Sequence, residues 1–290
     1  METRWLHVTS ETLPVLREAS KKVCVIPMGC VEKHSLHLPL GTDVFLASHI
    51  AYMASQLETA TVFPDFTFGD CNSNSPTIAC GTITIPLELQ MDLLENLCEQ
   101  IARWGYEKII VFNGHGGNNS WLDAFSRKLC FKKRNFVFAK YMIGLPAPKV
   151  LGNYLMEHGS GSIPELTLED EELLIRYTQE KMKVGHACMG ETAFMMGIAP
   201  ETVHMERLGI ESGLSRNLTK KYADAGIQIR DWGWSIDYPN DYCGHDPIGC
   251  NERIGKAALR FEAERFANAL RVLKEDEDLM RWHNEQQAGW

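Results

Sequence analysis

One short run constrains this chain more than any other. Residues 108–112 (Lys-Ile-Ile-Val-Phe) are apolar enough to be buried and too short to be a core helix. They sit between a helix-patterned stretch that stops at Gly105 and the turn formed by residues 113–118 (Asn-Gly-His-Gly-Gly-Asn). That is the signature of a buried strand feeding a tight loop, and it recurs. Residues 22–30 and 60–66 read as strands, and so do residues 135–141. Helix periodicity fills the intervals: residues 43–58 with Phe45, Leu46, Ile50 and Met53 on one face, residues 88–104 with Leu89, Leu93, Leu94, Leu97 and Ile101, and residues 120–131. Strands alternating with helices predict an α/β fold, a layered α/β/α arrangement around a mostly parallel central sheet. In such sheets, sites form in the loops at the C-terminal ends of the strands.

The remainder is less regular. Gly69 opens a polar loop that runs to Ser75. Residues 144–165, rich in Gly and Pro, read as an excursion rather than core. Residues 168–182 form a charged helix, residues 231–251 are irregular, and the tail from 252 to 280 reads as one long helix. No repeat, low-complexity tract or linker divides the chain. The expectation is one domain over 1–290, with 230–251 as a lid or an oligomer contact.

Charge and cysteine content narrow the setting. The formal net charge of −9 gives no global reason to hold a nucleic-acid backbone or an anionic membrane. Lys132-Lys133-Arg134 is too short to alter that. No apolar run of about 18 residues suggests a membrane span, and the opening residues lack the basic and apolar regions of a secretory signal. The 9 cysteines are odd in number and form no Cys-x-x-Cys pair. A disulfide framework is therefore not expected, and a cytoplasmic location is.

Three segments carry chemistry. In the first, Glu32 and His34 are one residue apart, so in an extended stretch both point to one side. Asp43 follows a Gly-Thr turn at the start of a predicted helix. Two carboxylates and an imidazole make a mixed ligand set for Zn²⁺, Mn²⁺ or Fe²⁺. A polar loop whose Asp43 caps a helix is the alternative. In the second segment, strand 108–112 delivers His115 into a turn with Gly114, Gly116 and Gly117, whose backbone can approach a ligand closely. The competing reading is a phosphate cradle at a helix start, which does not need the histidine. In the third, residues 185–192 (Gly-His-Ala-Cys-Met-Gly-Glu-Thr) place His186 and Glu191 near a helix start, as a proton-moving group and a further carboxylate, or as structural residues.

Together these segments resemble the creatininase (creatinine amidohydrolase) family. Its pattern Glu-Gln-His-Gly-x-His-Leu-Pro-x-x-x-Asp is matched by residues 32–43. Its Asn-Gly-His-Gly-Gly-Asn is matched without change by residues 113–118, and its His-Ala-Gly-x-x-Glu-Thr is close to residues 186–192. The resemblance covers roughly residues 22–200. It implies a metal site at the strand ends, with one or two divalent ions (Zn, Mn or Fe). Asp43 would bridge them, Glu32 and His115 would complete one shell, His34 would hold the other, Glu191 would add a carboxylate and His186 would shuttle protons. It also implies a homo-oligomer, often a hexamer in this family. Lys33 stands where the family has Gln, and Ser35 where it has Gly. Gly116 and Gly117 replace a Tyr-Glu pair of creatininase itself, which argues against creatinine as the substrate. Relatives with Gly-Gly there include formamide hydrolases of pyrimidine nucleotides, a peptidase that trims a redox-cofactor precursor, and diketo-inositol hydrolases.

The sequence thus points to metal-assisted hydrolysis of a small molecule. The leading expectation is cleavage of a non-peptide, cyclic amide C–N bond. The rival is a C–C hydrolase opening a cyclic diketone such as 3-dehydro-scyllo-inosose. A different class is a metal-free binding protein for a phosphorylated ligand. Substrate contacts are expected from Asn72, Ser73 and Ser75, from Gly116 and Gly117, and from Trp234 and His245 in the aromatic and acidic segment that follows residue 231. Solvated turns and a folded surface loop are the plainer readings of those last two regions.

Overall fold

The computed structural model describes residues 1–71, 79–144, 147–229 and 232–288. Four strands form one sheet: β1 Val23–Met28, β2 Thr61–Val62, β3 Lys108–Asn113 and β4 Val137–Met142. Their order is β2-β1-β3-β4, and every pairing is parallel. The register sets Met28 beside Asn113, so β1 and β3 deliver their following loops to one edge. The helices in chain order are α1 Leu13–Ala19, α2 Thr42–Leu57, α3 Leu87–Arg103, α4 Asn118–Leu129, α5 Ala147–His158, α6 Leu168–Gln179, α7 Met189–Ile198, α8 Lys220–Asp224, α9 Gly233–Asp237, α10 Glu252–Glu275 and α11 Leu279–Gln287.

The expected layering is observed. Both central strands are buried along their whole length, and alternate residues serve opposite cores. Val23, Val25, Ile110 and Phe112 pack with Leu46 and Ile50 of α2, Phe194 of α7 and Leu259 and Phe266 of α10. Cys24, Ile26, Ile109 and Val111 pack with Leu94 and Ile101 of α3 and Leu122 and Phe125 of α4. Burying one such side chain contributes about 1.5–3 kcal/mol, so these two faces hold the sheet between its helices.

Several sequence expectations are corrected. Strand 60–66 shortens to two residues, because Pro64 has no N–H for the ladder; the Phe63 amide donates to the Val25 carbonyl at 2.8 Å, and pairing resumes only as an isolated bridge at Phe66. The inward face of α3 is Gln90, Leu94, Cys98 and Ile101, while Leu89 and Leu93 are exposed. Phe45 also faces outward. Residues 144–165 are not an excursion: α5 lies within them and buries Leu151 and Leu155, with Pro148 in its first turn, where no amide is needed. The tail breaks at Asp276, whose carboxylate accepts from the amides of Asp278 and Leu279 and starts a separate helix. Cys30 and Cys71 form a disulfide that the cysteine spacing did not suggest, since their partnership is made by the fold and not by a local motif. Among the described residues no helix is long and apolar enough to cross a membrane.

Two glycines position the site. A Cβ on Gly29 would lie 2.5 Å from the Val44 nitrogen, so the end of β1 meets the start of α2 with no room for a side chain. A Cβ on Gly255 would meet the Ala193 carbonyl at 2.4 Å, which brings α10 against α7 and fixes the helix that carries Glu191.

Candidate metal centre

The site is assembled from three strand or helix ends. After β1 the chain runs through Glu32 and His34 and enters α2, whose first turn contains Asp43. The Glu32 amide donates to the Leu40 carbonyl at 3.0 Å, closing this loop on itself. After β3, Asn113 folds the next turn: its side-chain amide donates to the His115 carbonyl at 2.7 Å, and its oxygen accepts from the His115 amide at 3.1 Å. Gly114 donates to the Met28 carbonyl at 2.8 Å, tying the two loops together. Gly117 must be glycine, because a Cβ there would lie 2.2 Å from the Asp70 carbonyl and 2.5 Å from His115 Nε2. The third piece is the start of α7, where the Ala187 amide donates to Glu191 Oε2 at 2.5 Å. Ala187 adopts φ +56°, a left-handed conformation that points this amide at the carboxylate.

These pieces bring together the expected ligands. His34, Asp43, His115, Glu32 and Glu191 are all buried. His34 Nδ1 bonds the Glu32 carbonyl at 3.1 Å, so its Nε2 faces inward, 3.2 Å from Asp43 Oδ1 and 3.6 Å from Glu191 Oε2. His115 Nε2 bonds the Asp70 carbonyl at 2.8 Å, leaving Nδ1 only 2.8 Å from Glu32 Oε1 and 2.9 Å from Asp43 Oδ2. Asp43 therefore turns one oxygen to each histidine. Glu32 Oε1 and Asp43 Oδ2 are buried without a hydrogen-bond partner. Two such oxygens around the His115 Nδ1 nitrogen make a donor set that suits a divalent cation. His34, Asp43 and Glu191 form a second convergent set.

The electrostatics agree with a site made for positive charge. Burial opposes protonation of His34, yet Asp43, Glu191 and Glu32 push it up to about 10. His115 is likewise raised against its burial by Glu32 and Asp43. Burial would raise Asp43, but the two histidines hold it well below the carboxylate range. Glu191 is raised to about 7 by burial, opposed by His34 and reinforced by Asp43.

His186 stacks on His34 with ring centroids 4.1 Å apart, and its Nδ1 lies 3.5 Å from Glu32 Oε1. Its Nε2 bonds the Lys33 carbonyl at 2.8 Å. Burial, and then the charge of His34, lowers its pKa to about 4, so it is neutral near pH 7. A cavity of about 640 Å³ opens over these groups, lined by Glu32, His115, His186 and Glu191.

Of the expected substrate contacts, Gly116, Gly117 and Trp234 line this cavity. His245 is not among its lining residues; its Nδ1 accepts from the Lys183 amide at 2.8 Å. Asn72, Ser73 and Ser75 lie outside the described residues. The lining also includes Asp70, Ser120, Ile229, Asp241 and Cys243, which sequence reasoning did not single out. Only Asp70 and Ser120 carried a signal, by adjacency to the polar loop and the glycine turn.

The family model described as creatinine amidohydrolase matches residues 7–270. The mycofactocin precursor peptide peptidase of Mycolicibacterium smegmatis is 29% identical over 120 residues, which are 38% of this chain and 46% of that protein. The 3-dehydro-scyllo-inosose hydrolase of Thermotoga maritima is 26% identical over 113 residues, 38% of this chain and 36% of that protein. The matched stretches thus span less than half the length of these curated relatives. A solved structure of the manganese form of creatininase shares the fold, with a TM-score of 0.67 at 16% identity over 95% of this chain and all (100%) of that one.

Proposed function

The chain belongs to the creatininase family, and from that premise we propose that it is a metal-dependent hydrolase that cleaves a non-peptide, cyclic amide C–N bond in a small molecule. The observation that carries this reading is Asp43, which turns one oxygen to His115, itself beside Glu32, and converges through His34 with Glu191. The donor set of carboxylates and imidazoles suits Zn²⁺, Mn²⁺ or Fe²⁺ in one or two positions. A divalent ion held there lowers the pKa of water to about 7 and polarises a carbonyl.

The protein's own groups supply the rest. His186 is neutral and faces the cavity, so it accepts a proton and returns it to the leaving atom. Gly117 precedes α4, and Gly117 and Ser120 both line the cavity, so the positive end of that helix faces a developing oxyanion. Trp234 lines the same cavity and packs edge-on against His186, with ring centroids 5.7 Å apart. We read the 230–251 segment as the rim or lid of one 1–290 unit, since its Trp234, Asp241 and Cys243 line the cavity. Exposed Leu214, Leu218 and Ile227, which precede that segment, and Trp232 within it are apolar surface suited to a homo-oligomer, which sedimentation of the purified protein tests.

A second reading has its own support. A Cβ on Gly116 would meet nothing within 4 Å, which leaves open space beside His115 for a polyol ring. The relative from Thermotoga maritima is a hydrolase of 3-dehydro-scyllo-inosose. Opening a cyclic β-diketone uses the same activated water and carbonyl, with an enolate as leaving group. Metal-loaded protein incubated with cyclic amides and cyclic diketones separates the two. An amine or ammonia product supports the first, and an acyclic keto acid supports the second. Activity equal with and without metal on either class would overturn both.

A further inference from the structure

Cys30 and Cys71 belong to the wall of the metal centre. Cys30 follows β1 and lies two residues before Glu32. Cys71 follows Asp70, whose carbonyl accepts from His115. Both cysteines are buried, at 0% and 4% exposure, and their sulfurs are bonded to each other. The two sulfurs, a Glu32 oxygen and a His115 nitrogen all lie within 4.8 Å of one another. The hydrolytic chemistry uses neither cysteine.

We propose that Cys30 and Cys71, once reduced, form with His115 and Glu32 a further metal position, with two sulfurs, one nitrogen and one oxygen as ligands and a preference for Zn²⁺ over Mn²⁺. The proposal rests on the reading of Glu32 and His115 as metal ligands. Tetrahedral zinc with bonds of about 2.3 Å to sulfur and about 2.0–2.2 Å to nitrogen or oxygen places its ligands roughly 3.3–3.8 Å apart. The observed cluster is compact enough to meet that spacing. The Cα atoms of the two cysteines are 7.3 Å apart. Disulfides usually span about 4.4–6.8 Å between Cα atoms, so this wider separation suits two thiolates across an ion.

The chemistry closes with a small thiol as reductant. Two equivalents of thiol reduce the protein disulfide to two protein thiols and are themselves oxidised to one small disulfide. The protein thiols then release two protons to solvent as the cation binds. Sulfur ligands select zinc, whereas manganese prefers oxygen. Glu32 and His115 serve both this position and the one at Asp43 Oδ2. A zinc ion drawn to the thiolates therefore takes two ligands from its neighbour and leaves His34, Asp43 and Glu191 as the intact set.

Zinc-edge X-ray absorption on the full chain tests this, comparing protein reduced with a small thiol and protein oxidised with a small disulfide. The reduced form is expected to show two sulfur neighbours at about 2.3 Å, and the oxidised form only nitrogen and oxygen. Zinc affinity of the reduced form should exceed that of the oxidised form by about 10–100-fold or more, with manganese affinity unchanged. Reduced protein that binds zinc without sulfur neighbours would overturn this proposal and leave the hydrolytic centre standing. Failure of both forms to bind zinc or manganese would overturn both. In Cys30→Ser/Cys71→Ser protein the sulfur neighbours should vanish while manganese still binds. Their persistence there would assign the sulfur to another cysteine and end the proposal. The wild-type comparison does not depend on that variant folding.

Discussion

The floor of the cavity and its cover are built on different principles. On the floor, three of the proposed ligands are tied to backbone: His34 Nδ1 to the Glu32 carbonyl, His115 Nε2 to the Asp70 carbonyl, and Glu191 Oε2, the oxygen that faces His34, to the Ala187 amide. Each tie orients its side chain, and the two histidine ties leave the other ring nitrogen facing the carboxylates. The cover, described over residues 205–229 and 232–246, consists of loops and short helices held to the floor by a few contacts. Lys33 Nζ and Ser35 Oγ both bond Glu211, at 2.7 and 3.1 Å. Ser35 donates its amide to the Asp241 carbonyl at 3.2 Å, and Cys243 donates to the His186 carbonyl at 2.8 Å. A floor fixed by backbone keeps its chemistry when the sequence drifts. The cover keeps two backbone ties, at Asp241 and Cys243, but its ties through Glu211 are side-chain bonds that can change with the sequence and alter the substrate.

The largest expected effect breaks the floor. Asp43→Asn replaces an acceptor oxygen by an amide donor between the two histidines. It should empty both metal positions and lower activity by more than about 10²–10³-fold, the loss that follows removal of one oxyanion donor elsewhere. Metal content is the direct measurement, and retention of two ions by the variant would show that Asp43 bridges nothing.

Acidity gives the next effect. With His34 raised to about 10 and His115 raised as well, both carry protons at pH 7 in metal-free protein. Incoming ions must expel them, so affinity should rise with pH by about a decade per unit for each proton released. Calorimetry in buffers of different ionisation enthalpy counts the protons; a count of zero at pH 8 would contradict the assignment. Linkage gives a second sign. The raised His34 stabilises metal-free protein fully below its unfolded value near 6.5, and this contribution is lost as pH rises through about 10. Asp43, held low, contributes above its unfolded value near 3.8 and loses that contribution in acid.

This division also decides what the sequence revealed. Glu32, His34, Asp43, His115, His186 and Glu191 were legible because each sits one or two turns past an apolar run or at a helix start, where local pattern and loop position coincide. The all-parallel sheet was legible for the same reason: Cys24 to Ile26 and Ile109 to Val111 alternate between two cores with no polar interruption. Asp70, Asp241 and Cys243 were not, because they reach the cavity through long-range packing of irregular segments. The Cys30–Cys71 pairing was hidden by a separation of 41 residues. Residues 144–165 misled because their Gly and Pro signal turns, while Pro148 begins a helix and Leu151 and Leu155 enter the core.

The tether between cover and floor should give a smaller effect. The Lys33 and Glu211 side chains are 11% and 17% exposed, so removing one strands the other's charge in a poorly solvated place. Lys33→Met and Glu211→Gln should each destabilise the protein, and the double variant should recover part of the loss. The coupling expected is about 1–3 kcal/mol. Metal content should stay at the wild-type level while KM rises. A loss of metal in Glu211→Gln would show that the cover helps to build the floor.

The smallest effect separates backbone from side chain at Ser35. Its φ is +54°, the left-handed region, which disfavours any residue with a Cβ by about 1–2 kcal/mol. Ser35→Ala keeps that strain and loses the bond to Glu211, a loss of about 1 kcal/mol. Ser35→Gly loses the same bond and relieves the strain, offset in part by about 0.4–1 kcal/mol from the greater freedom of the unfolded chain. The glycine variant should therefore be the more stable of the two by about 1 kcal/mol in denaturant titrations. Both variants release the cover equally, so their KM values should rise together while their stabilities part. If KM follows stability instead, cover and floor are one cooperative unit, and the contrast between them fails.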